Sequence, residues 1–188
     1  MHTRLLTLFF VAIALLSAKP VEANAVLERL AEPGTHAILR HALAPGTGDP
    51  ANFALGDCTT QRNLDDVGRA QARAIGAAVR DAGIAVDRVL TSQWCRTAET
   101  ARLLDLGPVT EAPMLNSFFR DRSTADAQTE ATAAALAALP PGETAMLVTH
   151  QVNITALTGV FPRSGEMVLL RVGEDGDVTV LDRVLLAD

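Results

Sequence analysis

The chain has 188 residues, enough for one ordinary domain with a real core, and its 48% apolar and 20% charged residues exclude the disordered and fibrous classes. A net charge of −6 with no long Lys/Arg run argues against nucleic acid or an anionic membrane surface as partner, so any bound anion must be held by a few local arginines. One Trp, no Tyr and 4% aromatics also supply few platforms for stacking single-stranded bases.

In chain order, Met1 to Arg4 give a positive start and Leu5 to Ala18 an uncharged, largely apolar segment of 14 residues. That is short of the roughly 20 residues needed to span a bilayer. Small residues at Val21-Glu22-Ala23, or at Ala23-Asn24-Ala25, offer cleavage points, so residues 1–23 read as a secretory signal peptide and 24–188 as the mature domain. The alternative is an uncleaved anchor. The reading is of an exported, periplasmic protein without a stable membrane anchor; its oligomeric state is left open. In that compartment Cys58 and Cys95 are expected to form a disulfide, the alternative being two buried free thiols.

Ala25 to Ala31 reads as a brief amphipathic turn or two, stopped by Glu32-Pro33-Gly34. The apolar run Ala37 to Leu39 is a first strand that delivers Arg40 and His41 into a turn. His36 lies five residues before His41, so on a strand it points to the opposite face from His41, and it is taken as structural. Pro45 to Asp57 is a loop at that strand end and an expected pocket rim. Asp65 suits the N-cap of a helix to Ala82, with Val67, Gln71, Ile75, Ala78, Val79 and Ala82 as its stripe. Arg88 to Ser92 is a second strand, followed by a helix from about Gln93 with Arg96 in its first turn. Val109-Thr110 with Met114-Leu115 reads as a minor strand. The Ala-rich run from Thr124 to Leu139 is a helix packing through Ala127, Ala131, Ala134, Ala135 and Leu139. Ala145 to Thr149 is a third major strand ending in His150, and Gln151 to Thr158 a helix. Met167–Val172 and Val178–Leu181 form a closing hairpin. This alternation predicts an α/β domain with a mostly parallel central sheet.

In such sheets ligands bind beyond the carboxyl ends of the strands. There Arg40, His41, Ser92, Arg96 and His150 would converge, two guanidinium forks and two imidazoles suited to a phosphoryl dianion. A thiol phosphatase needs an arginine six residues after its cysteine, and those positions hold Leu64 and Ala101. No HExxH, CxxC, G-x-S-x-G or P-loop pattern occurs, so no metal or other cofactor is expected.

These residues resemble the histidine phosphatase superfamily, with its phosphoglycerate-mutase-like three-layer αβα sandwich. Arg40-His41-Ala42 is similar to the family's Arg-His-Gly, Ser92 through Arg96-Thr97-Ala98 to its second motif, and Leu147 to His150 to its late strand. Arg62-Asn63-Leu64 through Gln71 is similar to the segment opening its first long helix. The resemblance implies His41 as nucleophile carrying a phosphohistidine, Arg40 and Arg96 as phosphate grips, and His150 as a further donor.

The sequence departs from the family in the proton donor. Family branches carry a Glu in the middle section or an Asp after the late histidine; here Met114-Leu115-Asn116-Ser117 and Gln151 hold those places. Of Asp121, Glu111 and Asp49 as substitutes, Asp121 is preferred as the general acid. The resulting expectation is a metal-independent phosphatase acting on a small phosphomonoester, such as an envelope phosphosugar. The alternatives are a phosphohistidine (phosphoamidate) phosphatase, and a non-catalytic phosphate-binding module.

Overall fold

A computed structural model describes residues 19–187. Residues 1–18, the body of the expected leader, lie outside them. The first described element, α1 (Lys19–Leu30), is a full helix rather than a turn or two, and both candidate cleavage points fall within it. Val26, Leu27 and Leu30 bury one side of α1 in the core, which explains its persistence to Leu30. Among the described residues no helix is long and apolar enough to cross a membrane.

The strands β1 (His36–Arg40), β2 (Arg88–Thr91), β3 (Val109–Glu111), β4 (Ala145–Thr149), β5 (Glu166–Val172) and β6 (Val178–Leu185) form one sheet in the order β3-β2-β4-β1-β5-β6. The first four in that order run parallel, and β5 and β6 are antiparallel additions, so the sheet is mostly parallel, as expected. Strand alternation sorts the apolar side chains onto two faces. Ala37, Leu39, Met146, Val148, Met167 and Leu169 pack under α1, α2 (Asp66–Asp81) and α3 (Cys95–Leu104). Ile38, Leu147, Val168 and Leu170 pack under α4 (Ala125–Ala137) and α5 (Gln151–Thr158). Two cores on either side of one sheet make the three layers.

The Asp65 carboxylate caps α2, accepting from the Gly68 amide at 2.7 Å. The buried face of α2 is Gly68, Gln71, Ala72, Ile75, Gly76 and Val79; Val67, expected in the stripe, is 55% exposed. Gly76 is there because α2 meets α3 at the backbone: a Cβ would lie 1.9 Å from the Leu104 carbonyl oxygen. Two further expectations are corrected. Met114-Leu115 lies in a short 3-10 turn (Pro113–Leu115), where Pro113 disfavours a paired strand. The face of α4 is rotated by about one residue, burying Thr132, Ala133 and Leu136 instead of the alanines named above. An Ala-rich helix carries too little contrast between its sides to set its own rotation, so Leu136 sets it.

Candidate active site

β2, β4 and β1 are neighbours and parallel, so their C-terminal ends lie side by side. The His41 amide donates to the Thr149 carbonyl at 3.0 Å and the Ser92 amide to that of Val148 at 3.1 Å, which extends the pairing past the strands. His41 and His150 are thereby held as buried neighbours, 2% and 3% exposed, with ring centroids 5.6 Å apart in an edge-on arrangement.

The hydrogen bonds fix the tautomers. His41 Nδ1 lies 2.8 Å from the Ala42 carbonyl oxygen, which can only accept, so Nδ1 carries the proton and Nε2 the lone pair. Arg96 Nε donates to that Nε2 at 3.2 Å. Arg96 Nη2 donates to His150 Nδ1 at 3.3 Å, which places the His150 proton on Nε2, 2.9 Å from Ser92 Oγ. Ser92 passes the chain on to Asn116 Oδ1 at 3.3 Å. Burial first, then the positive charge of Arg96, hold both imidazoles well below the ordinary histidine pKa, the Ala42 carbonyl opposing weakly at His41. Both rings are therefore neutral at pH 7.

Three guanidinium groups face this pair. Arg40 is anchored by Nη1 to the Pro162 carbonyl at 2.9 Å, while its Nε is buried without a hydrogen-bond partner among the described residues. Arg62 is held by the carbonyls of Gly48 (2.9 Å) and Ala44. Arg96 is 3% exposed, and burial lowers its pKa to about 10 against the opposing pull of Asp49. At the sequence level Arg62 enters only through the segment similar to the family's first long helix, and not as a site residue. The disulfide joins Cys58, four residues before Arg62, to Cys95, next to Arg96, and so draws the two arginines together.

Asp49 enters from the loop after β1. Its Oδ1 accepts from Arg96 Nη1 at 2.7 Å and from the Arg62 amide at 3.1 Å, and its Oδ2 from Trp94 Nε1 at 3.1 Å. Burial pushes this carboxyl up, but Arg96 and these hydrogen bonds outweigh it and its pKa lies below the ordinary value. The cleft over these groups has a volume of about 360 Å³, and Asp49 is the one carboxylate among its lining residues. Of the residues read from the sequence, Arg40, His41, Arg96 and His150 line the cleft. Asp121 does not: it is an exposed cap, accepting from the Ser123 amide at 2.9 Å. Cys58 and Cys95 are bridged. His36 is buried at the start of β1, its Nδ1 accepting from the Ala145 amide at 3.3 Å. Among the described residues no group of three or more His, Cys, Asp or Glu could hold a metal ion.

The family model of the histidine phosphatase superfamily (branch 1) matches residues 37–118, a stretch that contains Arg40, His41, Arg62 and Arg96. No curated protein matches the chain. Among solved structures, the chain is similar to the protein histidine phosphatase SixA complexed with tungstate, with 18% identity, a TM-score of 0.57, and 81% of this chain and 97% of that chain covered. It is similar to the open reading frame Rv3214 from Mycobacterium tuberculosis, with 17% identity, a TM-score of 0.58, and 81% and 97% covered. It is also similar to mycobacterial hydrolase 1, with 16% identity, a TM-score of 0.60, and 82% and 99% covered. At these identities the structural likenesses establish the fold.

Proposed function

We propose that the chain, whose residues 37–118 match the model of the histidine phosphatase superfamily (branch 1), is a member of that superfamily and hydrolyses a small phosphomonoester in two steps through a phosphohistidine on His41. In the first, the Nε2 lone pair bonds to phosphorus while the ester P–O bond breaks and the departing oxygen keeps its electron pair. In the second, water bonds to phosphorus, the P–N bond breaks, a water proton is released and inorganic phosphate leaves. The observation that carries this reading is the His41 tautomer: Nδ1–H bound to the Ala42 carbonyl, with Nε2 turned to Arg96. A neutral ring with a fixed lone pair is ready to attack without first losing a proton.

Arg40, Arg62 and Arg96 supply planar donors for the phosphoryl oxygens, and the unpartnered Arg40 Nε is a donor in search of an acceptor. His150 orients Arg96 through its Nδ1 and takes up positive character as a dianion arrives. No metal has a step in this scheme. The leader read at residues 1–23 and the Cys58–Cys95 bridge support a place of action outside the reducing cytosol, in the periplasm.

A phosphoamidate such as phosphohistidine is the second reading. It is favoured by one observation: the carboxylate in the cleft lining is Asp49, ionised and engaged by Arg96, so the site lacks a free acid for a poor leaving group. The test is hydrolysis of 4-nitrophenyl phosphate in EDTA by wild type and His41→Ala, with acid-quenched trapping of a labelled histidine. Turnover and trapping in wild type, both absent in the variant, are expected. Full activity in His41→Ala removes the mechanism, and phosphate binding without turnover leaves a non-catalytic binding module.

A further inference from the structure

Among the described residues the aromatic side chains of this chain, Phe118 apart, are gathered at one place. It has six Phe, one Trp and no Tyr, and two of the Phe (Phe9 and Phe10) precede the described residues. Of the remaining five rings, Phe53, Trp94, Phe119 and Phe161 line the cleft, and only Phe118 belongs to the core. Phe119 is 53% exposed and Phe161 71% exposed. A single exposed apolar side chain means little, but two exposed phenyl rings on one rim, above a buried cationic floor, make a patch facing a ligand.

Each ring is tied to the phosphate end. Phe161 precedes Pro162, whose carbonyl anchors Arg40. Phe119 lies over the Gly48 turn, close enough that a Cβ on Gly48 would come within 3.9 Å of its ring, and the Gly48 carbonyl holds Arg62. Phe53 stacks on Trp94 at 5.0 Å between centroids, and Trp94 stands edge-on to His150 at 5.4 Å. A phosphoryl group gripped by the arginines therefore sends its ester substituent up between apolar rings. Rim polarity is sparse: Thr47, Ser117 and Gln151, with Arg120 occupied by the carbonyls of Asp49 and Pro50. The hydroxyls of a sugar would find few partners there.

A second observation points the same way. The cleft carboxylate is committed to Arg96, so the leaving oxygen departs with little help from an acid. A phenol-type oxygen tolerates this because its anion is stabilised by the ring, whereas an alkoxide does not. We propose that the substrate is an aryl phosphate monoester whose aromatic leaving group is held at the mouth by Phe119 and Phe161. This rests on the phosphatase reading above and names the substrate class it left open.

Calorimetric titration of the intact protein with benzylphosphonate, methylphosphonate and inorganic phosphate tests it independently of leaving-group reactivity. Benzylphosphonate is expected to bind about tenfold more tightly than methylphosphonate. In Phe119→Ser/Phe161→Ser that ratio falls to about one, while inorganic phosphate binds as in wild type and thereby reports an intact floor. Equal affinities in wild type, or a ratio that survives the double substitution, overturn the aryl assignment; the phosphatase reading then still stands if phosphate binds and acetyl phosphate is turned over. Binding of none of the three ligands overturns both. A wild-type ratio near one, together with a protein partner released by the double variant, would reassign the rim to macromolecular docking.

Discussion

The Asp49 carboxylate and the Arg96 guanidinium form a two-pronged pair, Oδ1 to Nη1 at 2.7 Å and Oδ2 to Nη2 at 3.3 Å, with both side chains nearly buried. An anion of the protein thus sits on a group proposed to grip the anion of the substrate. Arriving phosphate must displace that carboxylate or tolerate its charge nearby, and in a partly desolvated site the repulsion is worth on the order of 1 kcal/mol. Asp49→Asn is therefore expected to bind inorganic phosphate about tenfold more tightly, measured by calorimetry. Weaker binding would mean that Asp49 serves chiefly to aim Arg96.

The two buried imidazoles make stability depend on pH in a definite direction. His41 and His150 are held well below their unfolded value of 6.5, so between the two values the unfolded chain binds more protons. Their contribution is fully present above pH 6.5 and is lost as pH falls from 6.5 toward the folded values. The urea midpoint should drop between pH 7.5 and pH 5.5, and His41→Gln/His150→Gln should flatten that dependence. An equally steep dependence in the double variant would place its origin in the carboxylates.

The disulfide closes a sequence separation of 37 residues and joins the segment leading to Arg62 with the residue before Arg96. On the chain-entropy model its loss costs at most about 4 kcal/mol. Cys58→Ala/Cys95→Ala should lower the urea midpoint accordingly and weaken phosphate binding, since both arginines lose a shared anchor. Unchanged phosphate affinity at lowered stability would confine the bridge to a structural role.

Gly76→Ala sets two effects against each other. Alanine gains about 1 kcal/mol of helix propensity, but its Cβ meets the Leu104 carbonyl oxygen at 1.9 Å and must push α2 from α3. Overpacking of this kind costs roughly 1–3 kcal/mol, and a backbone clash lies at the upper end. A lower melting temperature is expected; a rise would show that the helices separate freely.

Much of this was legible in the one-dimensional pattern. The runs ending in Arg40-His41, Thr91-Ser92 and Thr149-His150 each announced a strand delivering polar groups to the same edge, and the Asp65 cap placed the start of α2. What could not be read were rotations and loop paths. Val67 sits in the first turn of α2, outside the buried face that begins with Gly68, Gln71 and Ala72, and the alanines of α4 miss the core because a weakly amphipathic helix takes its rotation from its neighbours. Asp121, the expected acid, stays exposed while Asp49 folds inward onto Arg96, because both are loop carboxylates and spacing does not say which loop turns to the cleft.

By itself the amino-acid order determined the strand ends and the residue types they carry, since period and turn chemistry act over a few residues. Only the tertiary structure decided that Arg62 joins the cationic floor, that Asp49 sits on Arg96, and that three phenyl rings and an indole ring gather at one cleft. Those side chains come from loops, and a loop's path is set by what it packs against across the fold, which no local pattern encodes.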